Sequence, residues 1–495
     1  MPSVAFAAAL DRYEPVIGIE VHCQLRTASK MFCGCSTAYD GAAPNSHTCP
    51  VCLGLPGALP VINRRAVELV LATGVAIEAR TPDATRWDRK NYFYPDLPKG
   101  YQISQYDLPL AALGTMTVDT SDGPFTIRIT RAHLEEDTAK LVHAPGPGGK
   151  RLSLVDFNRS GAPLMEVVTE PDIRTAEQAR RYAEELQLLL RSIGASDADM
   201  DRGQMRVEAN VSLRLRGTEA FGTRVEVKNM NSFKSVERAI NFEIERQAAL
   251  LDGGREVVQE TRGWSDERGE TYRMRVKESS DDYRYFPEPD LPPLRVDPAW
   301  LASIREGLPE LPAARRARYR DALGLAAYDA SVLVADPDAS RLFEATLAAD
   351  ADLDATVVAH WVTGEYLKLR NAAAAGAGAA PTADPGQLAA LVRLVAAGAI
   401  SRGNAKEVFE EHLASGAPAE AIVAARGFRQ ISDAGTLGAI VDAVIAANPA
   451  AAADVRAGKV AAIGFLVGAV MKETRGQANA AAAQAALRER LGGAA

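Results

Sequence analysis

Met205-Arg-Val-Glu-Ala-Asn-Val-Ser-Leu-Arg-Leu215 alternates polar and apolar side chains from end to end, and this period of two decides the fold. Arg206, Glu208, Asn210, Ser212 and Arg214 share one face of an extended strand, while Val207, Ala209, Val211 and Leu213 share the other. Such a strand belongs to an antiparallel sheet packed on one side and open on the other. Val16–His22 repeats the pattern, with Ile17, Ile19 and Val21 opposite Gly18, Glu20 and His22. Arg224, Glu226 and Lys228 repeat it again, just before Asn229-Met-Asn231-Ser232. Thr115–Thr120 and Thr126–Arg131 flank Ser121-Asp-Gly-Pro124 and read as a hairpin with an Asp-Gly turn. Two helices stand out. One opens on the capping box Thr175-Ala-Glu-Gln178 and ends before Gly194; the other runs from Ser232 to Leu251 and stops at Gly253-Gly254. Sheet with few helices and no regular βαβ alternation predicts an α+β, antiparallel-sheet-rich domain.

The remainder of the 495 residues is of another kind. Beyond Pro292-Pro293 the chain turns Ala-rich with helical periodicity, so an α+β domain over 1–295 is followed by two all-α domains, 296–401 and 402–495. The first helical domain reads as a bundle interrupted by the Ala-, Gly- and Pro-rich stretch Ala372–Pro385. No run of eighteen apolar residues appears and the N-terminus lacks a basic region, which leads us to expect a cytoplasmic protein with reduced thiols. The net charge of −8 argues against nucleic-acid binding by the whole surface. Residues 455–495 nevertheless carry six Lys/Arg against two Glu, a basic end suited to phosphate, although a solvated helix face reads the same way.

Four of the five cysteines form Cys33-Gly-Cys35 and Cys49-Pro-Val-Cys52. Two short claws at this spacing are the common way to build a tetrahedral zinc site. A four-thiolate site is coordinatively closed, so the expectation is a structural staple with the chemistry elsewhere. Acids recur along the chain: Glu20 with His22, Glu135-Glu136-Asp137 at a strand end, and Glu166 inside the apolar run Pro163–Val168. An acid in apolar surroundings requires a cation or several donors, and oxygen-rich clusters with one imidazole suit Mg²⁺. The alternative is the polar face of any half-exposed sheet, which these residues alone do not exclude.

Absences narrow the chemistry. There is no Gly-x-Ser-x-Gly elbow, no N-terminal nucleophile after Met1-Pro2, and no Ser-Ser-Lys hydrolase set; Ser279-Ser280 precede Asp281-Asp282 instead. Pro145-Gly-Pro-Gly-Gly-Lys150 is not a P-loop, because Ala144 stands where its first glycine belongs. Covalent amide hydrolysis by this chain is not expected.

Longer motifs carry a resemblance. Val155-Asp-Phe-Asn-Arg-Ser-Gly-Ala-Pro-Leu-Met-Glu166, Arg89-Lys-Asn-Tyr-Phe-Tyr-Pro-Asp96, Tyr101-Gln-Ile-Ser-Gln105, Lys228-Asn-Met-Asn-Ser-Phe233 and Ser280–Asp290 occur in an order similar to the B subunits of aspartyl/glutamyl-tRNA(Asn/Gln) amidotransferases. Gly464–Met471 and Gly476-Gln-Ala-Asn479 resemble that family's tail module. The resemblance implies a cradle-shaped first domain, a helical domain and a helical tail. It implies phosphorylation by Mg-ATP of the Glu or Asp side chain misacylated on tRNA(Gln) or tRNA(Asn). Ammonia from glutamine, released by an amidase (A) subunit in a heterotrimer with a small C subunit, then displaces the phosphate. Carried onto this chain, it assigns Mg²⁺ to Glu20, His22, Glu136 and Glu166, and phosphate or transition-state contacts to Arg159, Arg206 and Lys228. Glu208, Asn210, Asn229 and Asn231 are expected to orient substrate, and Lys459, Lys472 and Arg475 to hold the tRNA body. Zn²⁺ on Cys33, Cys35, Cys49 and Cys52 is expected to be structural and outside the mechanism.

Overall fold

The computed structural model describes residues 4–276, 283–376, 381–430, 434–459, 461–474 and 477–492. It divides into two compact units, Met1–Leu311 and Pro312–Ala495.

The first unit is organised by one eight-stranded sheet. From edge to edge its strands are Glu270–Val276, Glu260–Ser265, Val225–Met230, Met205–Leu215, Tyr13–Gln24, Pro163–Thr169, Gly123–Glu136 and Ala111–Thr120. All neighbours are antiparallel except Val225–Met230 with Glu260–Ser265. These two run parallel because the helix Phe233–Asp252 crosses over between them, as a parallel pair requires. The alternation read from the sequence holds: Ile17, Ile19, Val21, Val207, Ala209 and Val211 are buried, while Glu20, His22, Arg206 and Glu208 face the other way. Each fully buried Val or Ile contributes about 1.5–3 kcal/mol from water exclusion, so a register slip of one residue is prohibitive.

Helices Ala176–Ser192 and Phe233–Asp252 pack on the apolar face. Thr175 begins the first with the expected reciprocal pair, its hydroxyl accepting from Gln178 N while Gln178 Oε1 accepts from Thr175 N. Ser232 caps the second by accepting from Ser235 N. The hairpin is tighter than its sequence suggested. Thr120 pairs with Gly123, leaving Ser121-Asp122 as a two-residue loop, and Gly123 takes a positive φ of 106°. A small sheet of Asp88–Asn91, Tyr101–Ser104 and Phe286–Pro287 stands beside the large one. The unit continues through Leu311 because Trp300, Leu301 and Ile304 pack on its core and Trp300 Nε1 donates to Glu68.

The second unit is helical throughout its described residues. Tyr319 meets Phe343 and Trp361 meets Phe409 edge to face inside it. Ala372 lies in the helix Leu367–Ala375, and the next helix starts at Pro385. Its last four helices close on their own core of Leu437, Val441, Leu466, Val470 and Leu487. Among the described residues no single helix is long and apolar enough to cross a membrane.

Candidate active site

Five adjacent strands aim their polar residues at one cleft of about 550 Å³. Register brings them into line. His22 lies opposite both Arg206 and Glu166, Glu20 opposite Glu208, and His133 opposite Glu166. The small sheet adds Lys90 to the lining, the turn that follows its Tyr101–Ser104 strand adds Tyr106, and the residues after 282 add Tyr283 and Tyr285. The lining carries six acids against five Lys/Arg, so charges are balanced group by group and not by one sign prevailing.

His22 is the hub. Its Nε2 lies 3.4 Å from Glu166 Oε2, 3.5 Å from Glu20 Oε1 and 3.7 Å from Glu135 Oε1. Burial opposes a charge on His22, but Glu166, Glu20 and Glu208 outweigh it and raise the imidazole to about 9. Burial, then the charge of Glu166, pushes Glu20 up to about 7. Glu166 goes the other way. Burial opposes its ionisation, and His133, His22 and Lys90 reverse the effect, holding it well below the usual carboxylate range. Burial takes His133 down to about 4. Lys228 donates to Glu208 at 2.6 Å and faces Glu226 at 3.8 Å, which keeps its ammonium charged despite burial. Arg206 donates to Asp137 at 3.1 Å, and Asp137 also accepts from Gln24.

Of the residues expected from the sequence, Glu20, His22, Glu166, Arg206, Glu208 and Lys228 all line this cleft. Arg159 stands behind its rim, donating to the Thr138 and Ala139 carbonyls and facing Asp137. Asn210 sits between Gly18 and Glu226 in the sheet register, its side-chain oxygen buried without a partner. Asn229 and Asn231 are exposed at a strand end, Asn229 in a left-handed conformation and bonded to the Tyr272 hydroxyl. Glu136 is not brought to His22. It follows Glu135 on an extended strand and so faces the opposite side, where it pairs with Lys99 and accepts from Ile103 N. Glu135, His133, Asp137, Arg131 and Lys90 take cleft positions the sequence reading did not assign. The period of two, counted from Arg131, points to His133, Glu135 and Asp137; Lys90 lies on a four-residue strand too short to show a period. Lys459 is paired with Asp454, Lys472 is exposed, and Arg475 lies outside the described residues, as do Ser280–Asp282.

The donors suit a hard cation. His22, Glu135 and Glu166 place one ligand atom each within 4.8 Å of the others, as do Glu20, His22 and Glu208. Glu135 Oε2 and the Nδ1 atoms of His22 and His133 are buried without protein partners, the mark of groups shaped for something further. The four cysteines converge equally well: their sulfurs lie within 4.8 Å of one another, and Cys49 N donates to Cys52 Sγ at 3.1 Å. That set fits a tetrahedral thiophilic metal. Hydrogen bonding from Cys33 and the nearby Lys30 ammonium help pull Cys52 down to about 4 against its burial.

Fold and cleft together define a class: a protein with a charged, cation-competent pocket on the open face of an antiparallel sheet, beside a closed thiolate site. Residues 15–302 match the family model described as the GatB/GatE catalytic domain, and residues 341–491 match the GatB domain. The chain belongs to the family of aspartyl/glutamyl-tRNA(Asn/Gln) amidotransferase B subunits. The relative from Moorella thermoacetica is 53% identical over 479 residues, covering 97% of this chain and 100% of its own. Those from Anaeromyxobacter sp. and Thermomicrobium roseum are 51% and 50% identical, each covered over 99% of its length, with 98% and 97% of this chain aligned.

Proposed function

We propose that this chain is the ATP-using transamidation subunit of a tRNA-dependent amidotransferase, and that the cleft floored by His22 activates the side-chain carboxylate of Glu or Asp misacylated on tRNA. A carboxylate is a poor electrophile because no good leaving group is present. Its oxygen attacks the γ-phosphorus of ATP, ADP departs, and an acyl phosphate results. Ammonia then attacks the acyl carbon and inorganic phosphate leaves with the C–O bond electrons, giving Gln-tRNA(Gln) or Asn-tRNA(Asn). The ammonia comes from glutamine through a partner amidase subunit, with a small third subunit completing the assembly.

Glu20, His22, Glu135 and Glu166 are the residues that would hold Mg²⁺, with Glu135 in the role first given to Glu136. When bound, Mg²⁺ neutralises and orients the phosphate oxygens. Arg206 and Lys228 point from the same sheet face and supply fixed positive charge where equatorial oxygens gain negative charge. Glu208 holds the Lys228 ammonium, and Asn210 offers an uncommitted oxygen beside it. Asn229 and Asn231 are left to contacts at the cleft's outer edge. Zn²⁺ on the four cysteines supplies a closed staple. Lys459, Lys472 and Arg475 of the tail are proposed to contact the tRNA backbone.

The observation that carries the reading is the convergence on His22 of three carboxylates, with Arg206 and Lys228 on the same face. Its test is γ-phosphate release from ATP by the assembled complex, with and without Glu-tRNA(Gln), using ammonium chloride in place of glutamine. Release should require the charged tRNA and fall by about 10²–10³-fold in Glu166→Gln at unchanged tRNA affinity. Normal release by the variant would move catalysis to another subunit and leave this chain a tRNA-binding scaffold.

A further inference from the structure

The four-cysteine loop is tied to the cleft by a continuous set of side-chain hydrogen bonds. Asn45, between the two cysteine claws, donates through its backbone N to Asp156 Oδ1 at 3.0 Å and through Nδ2 to the Val155 carbonyl. Its Oδ1 accepts from Phe157 N at 2.7 Å. Asn158 returns the contact, accepting from His47 N and donating to the Ala43 carbonyl, each at 2.8 Å. Ser160 donates to the carbonyl of Cys52, and the fully buried Lys30 ammonium bridges the carbonyls of His47 and Phe157. The loop therefore holds Asp156–Gly161 along its length.

This segment carries Arg159, whose guanidinium grips Thr138 and Ala139 and faces Asp137 at 3.6 Å. Gly161 N donates to the carbonyl of Asp137, and Asp137 N to that of Ala162. Asp137 and Thr138 line the cleft, where Asp137 holds Arg206. A second strand of contact runs from Tyr39, inside the cysteine loop, through Gln24 to the same Asp137 carboxylate. Asn45 holds a positive φ of 60°, a conformation non-glycine residues adopt at a cost, and its reciprocal bonds explain why the side chain is retained there.

We propose that Asn45 and Asn158 are positioning residues through which the metal-bearing loop sets Arg159 and Asp137, and with them Arg206, for the phosphoryl-transfer step. The proposal rests on the functional reading above. It gives the closed thiolate site a defined role: metal occupancy orders the loop, and the loop orders one wall of the cleft, Asp137 and Thr138, which lies 92 residues on from Asn45 in sequence.

The experiment uses the complete complex with charged tRNA and ammonium chloride. Asn45→Gly keeps the left-handed backbone and deletes only the side-chain bonds, so it protects the fold; Asn158→Ala removes the answering pair. Each should lower kcat for γ-phosphate release about tenfold while retaining its metal, by elemental analysis, and its KM for the charged tRNA. Stripping the metal from the wild type with a chelator should cost the same factor, and stripping either variant should add nothing. Amide exchange of residues 156–162 should rise on stripping along with that of 33–52. Variants with wild-type kcat, or losses that multiply with metal removal, would overturn the proposal, as would exchange confined to the loop. A wild-type complex showing no tRNA-dependent release would instead sink the phosphoryl-transfer reading, leaving the exchange result to decide the coupling.

Discussion

Glu135 and Glu136 are chain neighbours on opposite sides of one strand, and the difference decides which of them serves a cation. Glu135 lies 3.7 Å from His22 Nε2 with its second oxygen unpartnered, whereas Glu136 is occupied by Lys99 and Ile103 N. Mn²⁺ binding, followed by electron paramagnetic resonance on the nucleotide-free complex, should therefore weaken at least about tenfold in Glu135→Gln and Glu166→Gln. Glu136→Gln should leave it within about twofold, because no ligand atom is removed. Equal losses in all three would return Glu136 to the metal site. The acids themselves were legible in the sequence, as was the sharing of a face within each strand: Glu20 with His22, Arg206 with Glu208, and Glu226 with Lys228. Three acids in a row hid the choice, which only the alternation from Arg131 through His133 resolves. Lys90 was illegible for another reason: it reaches the cleft from a short strand whose place depends on pairing with Tyr101–Ser104, a tertiary fact.

At the scale of elements, caps were the clearest signals, since a side chain meeting a backbone N–H three residues on is a local event. The Thr175 box formed as written, and Thr175→Ala should destabilise the first unit by about 1 kcal/mol in urea unfolding. A loss near zero would mean that packing of the Ala176–Ser192 helix against the sheet dominates its start. Asp336 was not read from the sequence, yet it caps Pro337–Ala349 and pairs with Arg370. Burial opposes its ionisation, but Arg370 and the helix N–H groups prevail and depress its pKa. A depressed carboxylate stabilises the fold above its unfolded value, and the contribution is lost as pH falls through the folded one. Asp336→Asn keeps the cap and removes the charge. It should cost roughly 0.5–1 kcal/mol at pH 7, a modest figure because the pair is partly exposed, with variant and wild type converging below about pH 4. A gap that does not shrink as pH falls from 4 to 2 would place the effect in the cap's geometry and not in its charge.

For the whole molecule, the division into Met1–Leu311 and Pro312–Ala495 would, on the proposed function, separate two tasks that the substrate demands together. A misacylated tRNA presents a small reacting carboxylate at the end of a large polyanion. The first unit contains every cleft residue and all four cysteines, with one core beneath its sheet. The last four helices have an apolar core of their own and the chain's basic end. Residues 1–311 alone should therefore fold, take up a thiophilic metal on the four clustered cysteines and bind Mn²⁺ like the full chain. Their affinity for charged tRNA should fall by at least about tenfold, since the second contact no longer raises the effective concentration at the first. The same truncation should flatten the dependence of binding on salt, each lost phosphate contact removing close to one unit of the log–log slope. Both are read from a filter-binding series at several salt concentrations. An unchanged slope would mean that the first unit alone carries the phosphate contacts, and that the basic end is the solvated helix face its composition equally allows.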